Sequence, residues 1–94
     1  MQTAQSETLI DDERVIASKW TLPPGSGTGQ HTHELDYVVV YLTDGVLTVT
    51  SDGEEIEAKV SKDMTTSRPA GVSHNVMNRS DESIAFIEIE LKRG

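Results

Sequence analysis

The chain has three histidines. His31 and His33 stand two residues apart in the stretch Gly25 to Gly45, GSGTGQHTHELDYVVVYLTDG, and His74 lies in Pro69 to Asn78, PAGVSHNVMN. Residues two apart in a strand leave the same face, so His31 and His33 can share one ion, with His74 as a third ligand from a distant strand. The spacing is not the i, i+4 pair of a helical zinc site. Three neutral imidazoles leave the +2 charge of a divalent ion uncompensated, and such an ion favours anionic, oxygen-rich ligands. Ligands on one side keep positions open for water, substrate or dioxygen, the pattern of a catalytic site. Iron(II) suits dioxygen chemistry there and zinc suits carbonyl polarisation or water activation; manganese, nickel and copper also bind imidazole.

Strands must deliver these residues. Arg14 to Leu22 (RVIASKWTL) places Ile16, Ser18, Trp20 and Leu22 on one face and Val15 and Ala17 on the other, and Pro23-Pro24-Gly25 stops it. The run GSGTG reads as a bend into the His-x-His segment, since it lacks the lysine and the strand-then-helix setting of a phosphate loop. Tyr37 to Leu42 is an unbroken run of aromatic, β-branched and aliphatic residues, the mark of a strand buried on both faces. Leu47 and Val49 alternate with Thr48 and Thr50, Asp52-Gly53 makes a hairpin turn, and Ile56, Ala58 and Val60 alternate with Glu55, Glu57 and Lys59. Met64 to Arg68, His74 to Asn78 and Ile84 to Leu91 complete the set. Short strands at hairpin spacing with no helical period predict an all-β barrel or jelly roll.

The two histidine stretches resemble the two motifs of the cupin superfamily. The first motif is Gly, five residues, His-x-His, a Glu after three or four residues, then six residues and Gly; Gly25, His31, His33 and Gly45 keep that register. The second ends Pro-x-Gly, two residues, His, three residues, Asn, and Pro69, Gly71, His74 and Asn78 match it; Asp63 stands where it opens with Gly. The resemblance covers about residues 14 to 92 and implies a cupin jelly-roll β-barrel holding a metal through His31, His33 and His74. The motif's Glu falls at Val38 or Tyr37, neither a carboxylate, so a three-histidine site is implied, as in a minority of cupins that includes some dioxygenases. The family register implies that Val38, Val40 and Leu42 point into the barrel and Tyr37, Val39 and Tyr41 point out. The phrase His-x-His-x-x-Asp-Tyr-Val-Val-Val is similar to a group of small bacterial cupins, some associated with β-alanine breakdown or a dioxygenase-like role.

Around the histidines, Glu34 and Asp36 are candidates for a missing oxygen ligand or for hydrogen bonds to a histidine. Arg68 is a candidate anchor for a substrate carboxylate, and equally a salt-bridge partner for one of the sixteen acidic residues. Arg68 and Tyr37 are the candidate catalytic residues. Trp20, Val38, Val40, Met77 and Phe86 are candidate apolar walls, and Gln30 and Asn75 candidate orienting groups. Asp44, Glu54, Glu55 and Glu57 fall on turns and on a wet strand face and read as solvated. No serine has a nucleophile-elbow setting or a spare histidine, which rules out a hydrolase triad.

Ninety-four residues make one domain: residues 14 to 94 as the barrel, residues 1 to 13 as a tail whose start is unstructured and whose Thr8 to Ile10 adds an edge or swapped strand. The net charge of −8 argues against nucleic acid and anionic membrane as partners. Without cysteine there is no disulfide, thiolate site or catalytic thiol. The polar N-terminus has no signal-peptide core and no apolar run reaches a membrane span, so the chain reads as cytoplasmic. A small barrel with an apolar outer face gains by pairing, hence a homodimer. The expected function is an oxygenase-type metalloenzyme acting on a small anionic organic molecule; the alternatives are a metal-dependent isomerase or lyase and a non-catalytic small-molecule-binding barrel.

Overall fold

β-Branched and aromatic runs separated by Gly, Pro and Asp turns leave the chain little choice but strands, and the computed structural model, which describes residues 2 to 92, contains no helix among them. The strands are β1 (Gln2–Thr3), β2 (Gln5–Asp11), β3 (Val15–Leu22), β4 (Ser26–Gly27), β5 (His31–Thr32), β6 (Tyr37–Tyr41), β7 (Gly45–Ser51), β8 (Glu54–Val60), β9 (Thr65–Arg68), β10 (Ser73–Asn78) and β11 (Ile84–Leu91). They form two sheets, one in the order β1-β4-β10-β7-β8 with β5 paired to β10, the other in the order β2-β3-β11-β6-β9. Leu22, Leu47, Val60, Ile84 and Phe86 fill the core between them. The all-β jelly roll expected from the sequence is the fold found.

The turns follow residue chemistry. Asp52 and Gly53 both take positive φ, 53° and 80°, which a two-residue hairpin of this hand requires. Asp63, standing where the motif has glycine, also takes the left-handed conformation, at φ 73°. Asn78 is fully buried, donating from Nδ2 to the carbonyls of Leu22 (2.8 Å) and Glu82 (2.7 Å) and accepting from the Ser80 amide, so it knots β3, β10 and the turn before β11.

Three local expectations are corrected. The chain start, expected as an unstructured tail, is strand from residue 2: β1 pairs with β4, and β2 runs along β3 with a bulge between Thr8 and Ile10. Met1 lies outside the described residues. Within the expected bend GSGTG, Ser26–Gly27 form the buried strand β4, because β10 supplies their backbone partners. The third correction is the facing of β6: Tyr37 and Val39 are buried and Tyr41 lines the interior, while Val38 and Val40 face outward. β6 lies between β11 and β9, and its register sets Tyr37 beside Glu90 and Arg68, and Val38 beside Ile89 and Ser67. The six-residue apolar run allows either facing, and pairing with β11 selects one.

Candidate metal centre

His31 on β5 lies directly across from His74 on β10, so one antiparallel rung delivers two imidazoles to the same spot. The backbone continues the pairing, with the His33 amide donating to the Val72 carbonyl (2.9 Å) and the Gly71 amide to the His33 carbonyl (2.8 Å). Gln30 and Asn75 hold this segment in place: Gln30 Nε2 donates to Ser73 Oγ (3.0 Å), and Asn75 Oδ1 accepts from the Gly29 amide (3.1 Å). The expected ligands are thereby brought together. His31 Nε2 lies 3.1 Å from His33 Nε2, and His33 Nε2 lies 3.2 Å from His74 Nε2. One ligand nitrogen from each of the three lies within 4.8 Å of the others.

Three imidazoles cannot satisfy such contacts among themselves. His31 Nδ1 donates to the Gly29 carbonyl at 2.8 Å, which leaves Nε2 with a lone pair. His33 Nε2 then either donates its single hydrogen or presents a lone pair, and neither state serves both neighbours. A shared cation serves all three. Nitrogens each about 2.0–2.1 Å from one ion stand at separations like these, and tying Nδ1 of His31 to a carbonyl is how proteins orient metal-binding histidines. Burial, the charge of His31 and, at the last, that of His74 push His33 down to about 4; burial, His31 and Arg68 push His74 down to about 4. Both are therefore neutral at pH 7, the form that binds a metal. The donor set fits a divalent ion.

The triad opens into a cavity of about 570 Å³ between the sheets. Tyr37 stacks on His33 with ring centroids 3.8 Å apart and planes at 19°, in one of the two places the motif offers for its carboxylate. Burial and the Glu88 carboxylate push the Tyr37 hydroxyl up to about 12, with Arg68 acting in the opposite sense, so it stays a neutral hydrogen-bonding group. Arg68 lines the cavity as expected, near enough to His74, Tyr37 and Tyr41 to act on all three. Of the expected walls, Trp20 and Phe86 line it; Val38 and Val40 lie on the other face of their sheet, and Met77 is buried away from it. Neither Glu34 nor Asp36 belongs to the ligand group: Glu34 is exposed at the cavity wall, and Asp36 accepts the Ala70 amide (2.8 Å) across the Pro69 corner.

Glu88 was missed by the sequence reading. Its carboxylate faces the cavity with its side chain 14% exposed, and one oxygen lies 3.9 Å from His33 Nδ1. Burial, reinforced by neighbouring Glu90, pushes it up to about 7. The signal was present in Phe86-Ile87-Glu88-Ile89-Glu90, where alternation marks one face as acidic; the usual rule sends that face to solvent, and here it turns inward.

Comparison with known proteins agrees with this geometry. The chain is 41% identical over 83 residues to the beta-alanine degradation protein BauB of Pseudomonas aeruginosa, covering 88% of this chain and 87% of BauB. It is 24% identical over 84 residues to an oxalate-binding protein of Thermotoga maritima, covering 89% of this chain and 68% of that protein. The crystal structure of a cupin domain from Bordetella pertussis superposes with a TM-score of 0.95 at 40% identity, over 98% of this chain and 96% of that one. Residues 18–90 match the family described as Cupin domain, and the chain belongs to that family.

Proposed function

We propose that this cupin binds one divalent metal ion, iron(II) in the cell, through His31, His33 and His74, and acts as an oxygenase on a small anionic organic molecule held in the cavity. The observation that carries the reading is the convergence of three imidazoles, without a carboxylate ligand, on the wall of a cavity of substrate size. When bound, the ion supplies uncompensated positive charge and, as iron(II), dioxygen chemistry. The chain does the rest. Tyr37 packs flat on His33, fixing its ring and filling a place a carboxylate could take. Arg68 offers a planar fork for a substrate carboxylate. Trp20 and Phe86 add aromatic wall to the cavity. The named relatives concern beta-alanine and oxalate, both small carboxylates, which supports a small ligand carrying a carboxylate.

A second reading, a metal-dependent isomerase or lyase, gains from Glu88. Glu88 places a carboxylate with a raised pKa inside the barrel, where a base near neutrality is needed. A non-catalytic binding barrel is the third. We further propose a cytoplasmic homodimer that pairs the aliphatic outer face of the five-stranded sheet, where Val38, Val40, Ile87 and Ile89 stand half-exposed.

The test is elemental analysis of protein purified without chelators under nitrogen, beside His74→Ala. Near-stoichiometric iron, lost in the variant while the β-sheet circular dichroism persists, supports the site, and oxygen uptake with small carboxylates supports the oxygenase. Air-indifferent zinc or nickel moves the assignment to Lewis-acid chemistry. Unchanged metal content in His74→Ala overturns the three-histidine centre, and no metal after reconstitution leaves the binding barrel.

A further inference from the structure

The cavity is polar at one end and apolar at the other. Around the triad stand Tyr37, stacked on His33, and its row neighbours Arg68 and Glu90, with Glu34 in the segment after His33. Glu88 sits one inward-facing place further along β11 and turns a carboxylate oxygen back toward His33 Nδ1, at 3.9 Å. Beyond it, among the described residues, no charged side chain lines the cavity.

Register puts the apolar end deeper in the barrel. On the six-stranded sheet the inward-facing place after His74 is Val76, which lies across from Val49, itself across from Ile56; Leu47 and Ala58 form the next pair. On the five-stranded sheet the row Trp20-Phe86-Tyr41 lies roughly 13 Å along the strands from Tyr37. Past that row the two sheets close on each other, because Gly45, the next inward-facing place after Leu47, lies against Ile84, the next after Phe86. Ile56 faces the cavity between Glu55 and Glu57 and is nevertheless 59% exposed, an aliphatic side chain that a bound apolar group would cover. Size points the same way. A cavity of about 570 Å³ falls in the range of sites for drug-sized ligands, about 300–1,000 Å³. An acid the size of oxalate, at roughly 30 Å³ per non-hydrogen atom, would leave most of it to water lying on apolar wall.

We propose that the ligand is amphipathic, a carboxylic acid whose head lies at the metal and Arg68 and whose aliphatic tail runs past Val76, Val49 and Ile56 to the Trp20-Phe86-Tyr41 row. This rests on the metal-bound anion site proposed above and specifies the class of acid that site accepts.

The experiment is isothermal titration of zinc-loaded protein, whose ion takes no part in redox chemistry, with acetate, butyrate, hexanoate and octanoate, and with suberate, which adds a second carboxylate at the far end of octanoate's chain. Affinity should rise along the series at up to about fourfold per methylene, so that octanoate binds about a hundredfold more tightly than butyrate. Suberate should bind at least about tenfold more weakly than octanoate, since its far carboxylate would be buried against apolar wall. Trp20 is the chain's single tryptophan, so octanoate and not acetate should shift its fluorescence. Ile56→Ser, at an exposed position that spares the fold, should weaken octanoate about tenfold and leave acetate within about twofold. Ile89→Lys, on the outer face, should leave the ranking as it is. Three results overturn the tail site: equal affinity along the wild-type series, suberate binding as well as octanoate, or a length dependence lost in Ile89→Lys and kept in Ile56→Ser. If acetate binding still requires the metal in any of these cases, the anion site stands and only the tail falls. Octanoate binding unchanged in His74→Ala overturns the placement of the head at the metal. If no member of the series binds, both fall together.

Discussion

The two faces of the five-stranded sheet differ in a way that inverts the usual rule. Along one row the inner face carries Ser18, Glu88, Val39 and Thr66; along the next the outer face carries Ala17, Ile89, Val38 and Ser67. An antiparallel sheet with one wet side ordinarily keeps its aliphatics inside and its carboxylates outside. Here Glu88 and Glu90 of β11 turn toward the cavity, while Ile87 and Ile89 turn away from it and Ile84, at the start of the strand, packs into the core. The inner face lines a polar-walled cavity, and the outer face is left aliphatic and half-exposed.

The largest effect that separates the faces belongs to the outer one. Ile89→Lys puts a charge at the centre of the aliphatic stripe, beside Val38 and Ala17. If that stripe pairs two copies, the dimer dissociation constant should rise about a hundredfold, the loss of a central contact, while metal content stays at one equivalent. Sedimentation across a concentration series checks this. A wild-type protein that is monomeric throughout, or a variant that dimerises unchanged, removes the covering role of the face.

Adjacent residues sharpen the contrast. Tyr37→Glu introduces a carboxylate on the inner face where Tyr37 now stacks on His33, and metal affinity should rise about tenfold while affinity for plain carboxylates falls. Val38→Glu puts the same charge on the opposite face and should leave metal affinity within about twofold, acting on self-association instead. Metal titration against a competing chelator distinguishes them. Were Val38→Glu to tighten the metal and Tyr37→Glu to leave it unchanged, the facing of β6 described above would be wrong.

That facing is also where the sequence ran out. The histidines were legible because two residues apart on a strand means one face, whatever the barrel around them, and His74 arrives from a distant strand as the two motifs implied, the structure setting it across from His31. The hairpin at Asp52-Gly53 was legible for a similar reason, since its residues dictate the turn. The run from Tyr37 to Leu42 carries no alternation, so its register depends on a partner strand that is distant in sequence, and counting from the motif chose the wrong face. Glu88 escaped because Ile84 to Leu91 was read only as the last strand of the set, and the rule that sends an alternating acidic face to solvent, which a polar cavity breaks, gave no reason to look for it inside. The paired start of the chain escaped because residues 2 to 11 contain few strand formers; neighbouring β3 and β4 supply the order.

The smallest effect is a control that touches neither face. Gly45 opens β7 against Ile84 of β11, and a methyl group added there would lie 2.7 Å from Cδ1 and 2.8 Å from Cγ1 of Ile84. Ile84 is completely buried and β-branched, so it cannot swing away cheaply. Overpacking of this kind costs about 1–3 kcal/mol, partly offset by about 0.5–1 kcal/mol because alanine loses less freedom than glycine on entering a strand. Gly45→Ala should therefore lower the melting temperature by about 4–8 °C in a domain of this size. Metal stoichiometry, ligand ranking and self-association should stay as in the wild type. Calorimetry reads the first and the assays above read the others. A Gly45→Ala protein that lost metal or dimer at 25 °C would show that general loosening of the barrel is enough to move those readouts, and the changes at Tyr37, Val38 and Ile89 would no longer report on their own faces.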